Sequence, residues 1–328
     1  MAKTVLEVLD LKTSFFTRRG EVKAVDGVSF SVKEGQTLGL VGESGCGKSI
    51  TCLSIIRLVP RPAGRIVGGQ VMLEGKDLLQ LPESQMREVR GRKISMILQD
   101  PMTSLNPVFS IGELVGEPIS IHQRTNNRSI SERVIDILRR VRIPSPETRV
   151  RDYPHQMSGG MRQRIVAAMA LSCEPRLLIA DEPTSALDVT IQVQFLRLLK
   201  EIQQQSGVAM IMVTHDFGIV ARICDIVAVM YAGKIVEFAD VRELLHHPAH
   251  PYTVALMNSV PKIGAKRERL YSIEGQPPDL AFLPPGCSFA ARCSQATETC
   301  HTKKPAPFPL RDGHEVACWL YGEGAVEK

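Results

Sequence analysis

No stretch of the 328-residue sequence approaches the roughly 18 consecutive apolar residues that a membrane-crossing helix needs. The richest candidate, Val208 to Gly233, is interrupted by His215, Asp216, Arg222 and Asp225. The opening Met1-Ala2-Lys3-Thr4-Val5 carries no secretory h-region, so the chain is expected to stay in the cytoplasm. An excess of one charge is missing too: 40 basic against 35 acidic residues leave +5, and the basic side chains are scattered. Charge therefore gives no footprint of a nucleic-acid-binding surface. Sustained heptads are also lacking, which excludes a long coiled coil. What remains is ordinary globular composition, 44% hydrophobic and 23% charged, enough for one large or two smaller cores.

Against that background one stretch stands out. Gly42-Glu43-Ser44-Gly45-Cys46-Gly47-Lys48-Ser49 satisfies G-x-x-x-x-G-K-[ST] at every fixed position. It follows the apolar run Thr37-Leu38-Gly39-Leu40-Val41 and precedes a helical run from Ile50 to Leu58. Strand, glycine loop and helix in that order make a phosphate-binding loop. Gly42, Gly45 and Gly47 let successive backbone N–H groups of the loop, Ser44 and Cys46 included, turn inward, and the helix entered at Ile50 adds the positive end of its dipole. Lys48 then reaches the β- and γ-phosphates, and Ser49 can ligate Mg2+. Cys46, next to Lys48 at the start of that helix, is expected to have a lowered thiol pKa, with a small packing residue as the alternative.

Along the chain, Val5 to Leu11 and Val22 to Val32 alternate as antiparallel strands do. A strand from Gly69 to Leu73 runs into the turn Glu74-Gly75-Lys76-Asp77, and Ile94 to Leu98 is a further apolar strand. Between Pro101 and Pro154 the pattern turns helical: Ser129 with Glu132 has the form of a capping box, and Val134, Leu138 and Val141 recur at helical spacing. Leu177 to Ala180, Ala209 to Val213 and Ile226 to Met230 are short buried strands, with Ile191, Phe195, Leu198, Leu199 and Ile202 on one face of an intervening helix. The expected fold class is α/β with a helical insert. Beyond about Lys262 the chain becomes Pro-rich and loses periodicity, which places a boundary there.

The strand Leu177 to Ala180 ends in Asp181-Glu182. A carboxylate at the end of a buried strand beside a phosphate loop can hold Mg2+ through water, which suits Asp181, and Glu182 next to it can orient or deprotonate an attacking water. Ser158-Gly159-Gly160, opening a helix through Ile165 to Leu171, is a second anion-binding helix start. One nucleotide does not need two such starts in one subunit. A head-to-tail pair, with each nucleotide between the phosphate loop of one copy and the serine-glycine helix of the other, uses both.

With these motifs in this order, the chain over residues 1 to about 260 resembles the ATP-binding cassette of ABC transporters. The resemblance implies a P-loop NTPase fold with a RecA-like core, an antiparallel β subdomain and a helical subdomain at about 101–157, together covering 1–262. Lys48 and Ser49 match the Walker A loop, Asp181 and Glu182 the Walker B pair, and Ala186-Leu187-Asp188 the D-loop. Gln99 matches the Q-loop, placing it at both the reaction and the Mg2+, and His215 the switch histidine. Met157 to Met161 matches the signature Leu-Ser-Gly-Gly-Gln except at its first and last positions, where methionine stands. Phe15 is the candidate for stacking on adenine, with Phe16 its competitor and a plain core aromatic the alternative.

Gln99-Asp100-Pro101-Met102-Thr103-Ser104-Leu105-Asn106-Pro107, Tyr153-Pro154-His155-Gln156 and His250-Pro251-Tyr252-Thr253 are similar to the ATPase subunits of dipeptide, oligopeptide and nickel importers. Such a chain hydrolyses ATP to drive import, seated peripherally on the cytoplasmic face of the inner membrane. The partners implied are a second, distinct ATPase subunit, two permeases whose coupling helix enters the helical insert, and an extracytoplasmic solute-binding protein. The extension 263–328 carries Cys287, Cys293, Cys300 and Cys318. Four cysteines on a Pro-rich segment read as metal ligands before disulfides, with zinc and iron as competitors and buried thiols as the third reading. In the importer group this pattern implies a 4Fe-4S cluster, and His301 or His314 could replace a cysteine. Two rival classes fit less well. A chromosome-maintenance ATPase would separate Lys48 from Ser158 by a coiled coil, and a non-enzymatic iron-sulfur sensor would not need intact Lys48, Glu182 and His215.

Overall fold

The alternation at the start of the chain becomes two long strands, β1 (Thr4–Thr17) and β2 (Gly20–Lys33). Their buried positions Val5, Leu6, Val8, Leu11, Val25, Val28, Phe30 and Val32 supply the core face. The computed structural model describes residues 3–100, 104–123, 126–259 and 272–322. The described chain falls into two compact units, one formed by Met1–Leu6, Val32–Thr37 and Leu73–Met212, the other by Glu7–Ser31, Leu38–Met72 and Val213–Lys328. The expected boundary at 262/263 lies outside the described residues, as do Pro101, Met102 and Thr103.

In the second unit β2, β1 and β4 (Gly64–Leu73) lie side by side in that order. The short β5 (Lys76–Asp77), entered through Glu74 and Gly75 at φ 47° and 85°, belongs to the first unit. The second unit also holds β3 (Thr37–Val41) from Leu38 on, and every residue of that strand is buried, as a run that is apolar on both faces must be. After β6 (Ile94–Ile97), β7 (Leu177–Asp181) and β8 (Ala209–Thr214) come β9 (Ile226–Tyr231) and β10 (Lys234–Asp240). β3 pairs in parallel with β9, and β9 pairs antiparallel with β10.

The unit then closes with elements the sequence pattern does not announce. β11 (Phe308–Arg311) and β12 (His314–Val316) form a hairpin, and β12 adds itself antiparallel to β10, with Glu237 opposite Val316. The C-terminal segment is therefore ordered by strand addition. A satellite core of Ala249, Val316 and Cys318, with Leu310 and Leu320 against it, covers the join.

In the first unit β6 and β7 pair in parallel, Ile94 to Ile97 against Leu177 to Ala180, and β7 is buried throughout. The helical insert is present as helices Ile111–His122, Asn127–Arg140 and Pro146–Arg149. Its capping differs from the expectation at Ser129. Asn126 is the cap there, its side chain accepting from the Ser129 N–H at 2.9 Å, so Ser129 lies inside the helix. The true capping box sits one helix earlier, at Ser110 and Glu113. Among the described residues no helix is long and apolar enough to cross a membrane.

The expected 4Fe-4S cluster, and with it the metal-binding reading of Cys287, Cys293, Cys300 and Cys318, is overturned. Among the described residues no three or more His, Cys, Asp or Glu side chains form a group that could hold a metal ion. All four are free thiols, Cys300 and Cys318 buried and the other two half-buried. Cys293 Sγ accepts from the Gln295 N–H at 3.4 Å, and Cys300 Sγ lies 3.3 Å from Thr297 Oγ1. Burial pushes the thiols of Cys287 and Cys293 up and that of Cys318 to about 11.

Candidate functional site

The phosphate loop leaves β3 at Val41 and delivers its helix at Lys48–Ile55, capped by Gly47. All three of its glycines sit at positive φ, and two of them also leave no room for a Cβ. Gly42 sits at φ 155° with room for no Cβ, since one would lie 2.3 Å from the Met230 carbonyl oxygen. Gly47 sits at φ 108°, where a Cβ would meet the Ala24 carbonyl oxygen at 2.3 Å. Lys48 is buried, and its Nζ donates to the carbonyls of Gly42 at 2.7 Å and Glu43 at 2.9 Å, so the ammonium lies within the loop's own curve. Ser44, Gly45 and Ser49 are exposed and Ile50 is half-buried. A loop of this shape, with an ammonium inside it and a helix start behind it, fits a phosphate chain.

Cys46 departs from expectation. It is buried, and that burial pushes its thiol up, outweighing the lowering by Lys48, whose Nζ stands 3.8 Å from Sγ. It packs as a small apolar residue.

Two residues that motif reasoning missed hold the loop from outside. Tyr252 accepts a hydrogen bond from the Glu43 N–H at 2.8 Å, and Arg292 forms a two-pronged pair with the Glu43 carboxylate at 2.7 and 3.0 Å. Pairing with Glu43 raises the Arg292 pKa further, and burial raises those of Tyr231 and Tyr252. Tyr231, Tyr252 and Phe289 pack together around this point, the two tyrosines tilted against each other and both edge to face with Phe289, with centroids 4.6 to 5.4 Å apart. The signal in the sequence was the His250-Pro251-Tyr252-Thr253 run, but its partner in the loop is far away along the chain.

In the other unit, Asp181 is buried at the end of β7. Glu182 follows half-buried at φ 43°, a backbone region few non-glycine residues occupy. Gln99 Nε2 lies 3.4 Å from Glu182 Oε2, so the structure brings these two predicted residues together. The turn after Glu182 is tied down by Gln163, buried in the helix Gly159–Leu171, whose Nε2 donates to the Pro183 carbonyl at 2.5 Å. Ser158 caps that helix, accepting from the Met161 N–H at 3.3 Å, and Gly159 and Gly160 open it. Asp188 caps the helix Val189–Ser206, accepting from the Ile191 N–H at 3.0 Å.

His215 stands exposed just after β8, and Asp216 beside it caps the helix Phe217–Ile223. Phe15 is half-buried with its ring edge near Gly64, whereas Phe16 is exposed beneath the Arg65 guanidinium at 5.5 Å. The phosphate loop and His215 thus belong to one unit, and Gln99, Asp181, Glu182 and Ser158 to Gly160 to the other.

A family model described as "ABC transporter" matches residues 25–185, and one described as "Oligopeptide/dipeptide transporter, C-terminal region" matches residues 236–300. The chain is 51% identical over 323 residues to the probable peptide ABC transporter ATP-binding protein y4tR of Sinorhizobium fredii, covering 98% of this chain and 96% of the relative. It is 49% identical to the dipeptide transport ATP-binding protein DppD of Bacillus subtilis, with 98% and 96% covered. The oligopeptide transport ATP-binding protein AppD of the same organism is 46% identical, with 99% of each chain covered. These names speak of ATP binding and transport, and none of an iron-sulfur cluster. Among solved structures, a dimeric ATP-binding cassette in a post-hydrolysis state with ADP and Pi matches at a TM-score of 0.65 and 23% identity, over 72% of this chain and 99% of the other, which shows the fold. A Clostridium perfringens subunit, cbiO1, matches at 0.63 and 26% identity, over 75% and 92%. With a relative half identical along almost its whole length, the chain belongs to the ABC transporter family as one of its ATP-hydrolysing, ATP-binding cassettes.

Proposed function

We propose that this cassette powers the import of peptides, as the names of its relatives say of them, with ATP hydrolysed between two cassettes. What carries the reading is the loop Gly42 to Ser49, closed around the Lys48 ammonium at the end of β3. Lys48 binds the β- and γ-phosphates and the loop N–H groups cradle them. Ser49 and Gln99, with Asp181 acting through water, would hold Mg2+, which would supply neutralisation of the phosphate charge. Glu182 orients and deprotonates the attacking water, its carboxylate steadied by Gln99. His215 contacts the γ-phosphate. Ser158, Gly159 and Gly160 reach the nucleotide held by the partner cassette, and Phe15 stacks on adenine.

The partner cassette is a related but distinct subunit, and two permeases and a solute-binding protein complete the importer. The insert supports the permease contact: a groove of about 570 Å3 lined by Leu114, Gly116, Ile130, Val134 and Val150 runs along its helices. The chain then sits peripherally on the cytoplasmic face of the membrane.

The test is uptake by the assembled complex in proteoliposomes. Labelled dipeptide or oligopeptide should accumulate only with ATP, and not with Lys48→Ala. Accumulation of Ni2+ with no peptide uptake would replace the substrate reading.

A further inference from the structure

Glu43 is one of the unspecified positions of the G-x-x-x-x-G-K-[ST] pattern, so phosphate binding does not require an acid there. A carboxylate in that place is electrostatically costly, because a phosphate chain in the loop would bring several negative charges close to it. The structure neutralises it from the C-terminal segment. The Arg292 side chain is only 4% exposed, and all five of its N–H donors are used. Nη1 donates to Glu43 Oε2 at 2.7 Å and to Tyr231 Oη at 3.3 Å. Nη2 donates to Glu43 Oε1 at 3.0 Å and to the Ile273 carbonyl at 3.4 Å, and Nε donates to the Glu274 carbonyl at 3.1 Å. The rings of Tyr231 and Phe289 flank the guanidinium at 5.9 Å.

Glu43 is consequently gripped at three points: its carboxylate by Arg292, its N–H by Tyr252, and its carbonyl by the Lys48 ammonium that serves the phosphates. A group so placed sets both the shape and the local charge of the loop. We propose that Arg292 is a positioning residue for nucleotide binding, which cancels the Glu43 charge and makes the phosphate loop's affinity for ATP depend on the docked C-terminal segment. This rests on reading Gly42 to Ser49 as the nucleotide site.

The experiment is a double-mutant cycle on the full chain, reading the ATP dissociation constant and the melting temperature together. Arg292→Ala leaves the Glu43 carboxylate uncompensated and should weaken ATP binding by about tenfold or more. Arg292→Lys keeps a positive charge without the fork and should fall between the two. Glu43→Gln alone should bind ATP at least as tightly as the unaltered chain. Combined with Arg292→Ala it should restore most of the lost affinity even if the melting temperature stays low, a recovery that a purely structural role of Arg292 would not produce. Should Arg292→Ala not fold, Arg292→Lys with and without Glu43→Gln carries the same comparison. ATP affinity unchanged by the Arg292 substitutions, or a loss that persists in the Glu43→Gln background, overturns the proposal. Lys48→Ala is the control for the site itself: if it bound ATP normally, the site reading would fail, whatever Arg292 does.

Discussion

The phosphate loop and the C-terminal segment belong to one compact unit and are held together by opposite means. Within the loop, shape comes from residues next to one another: three glycines at positive φ, the helix that follows them, and Lys48 turned back onto carbonyls only a few residues away. The C-terminal segment is shaped by residues far apart in the chain. Glu237 of β10 is fully buried and accepts from the N–H groups of Ala249 and His250 at 2.7 and 2.9 Å, and its Oε1 lies 2.9 Å from His314 Nε2. Local chemistry is readable as a pattern, whereas a contact across many residues leaves no spacing to read.

Because Glu237 satisfies several buried groups at once, Glu237→Ala should have the largest effect on the distant-contact side. Orphaning them should cost about 3–5 kcal/mol, seen as lowered stability in denaturant. A loss below about 1 kcal/mol would mean that the segment is held by something other than this cluster. The matching break on the local side is Gly47→Ala. Its strained φ and the 2.3 Å approach to Ala24 should cost about 3 kcal/mol in loop geometry, which is about a hundredfold in ATP affinity by equilibrium binding.

The same contrast explains what could be read from the sequence. β3, β7, the loop and the Ser158 helix start were legible because each is a short apolar run or glycine pattern whose meaning is local. The cap at Asn126 was misplaced by three residues because Ser129 and Glu132 satisfy the same spacing rule, and only the backbone decides which side chain reaches an N–H. Of the two readings of Cys46, the packing one holds, because the neighbouring Lys48 is visible in the sequence and the burial that outweighs it is not. The C-terminal hairpin was missed entirely. β11 and β12 are three to four residues long, contain or follow prolines, and owe their place to β10, so nothing within them signals a strand. Clustered cysteines were then a more visible explanation for order than the strand pairing and buried carboxylate that provide it.

A pH titration sharpens the comparison further. Burial holds His250 down to about 4 against an ordinary 6.5, so the folded chain keeps it neutral where the unfolded chain protonates it. Its stability contribution is full above pH 6.5, declines as pH falls, and stops declining near pH 4, where the folded form takes up the proton too. The whole change is about 3 kcal/mol. His250→Asn retains a side chain that can cap the helix Pro251–Asn258 and should flatten the stability curve across that window. An unchanged slope would assign the pH response to other groups. The smallest expected effect is that of Trp319→Phe, which removes one hydrogen bond, Nε1 to the Lys303 carbonyl at 2.9 Å, and should cost about 1 kcal/mol without altering ATP affinity.

The most direct test of the catalytic account is single-turnover hydrolysis of ATP by the assembled complex carrying Glu182→Gln. With Lys48 and the loop intact, the variant should hold ATP while the rate of cleavage falls by about a hundredfold to ten-thousandfold, the contribution expected of a general base. Cleavage at the unaltered rate would contradict the assignment of Glu182 and leave the reaction to be explained by another residue.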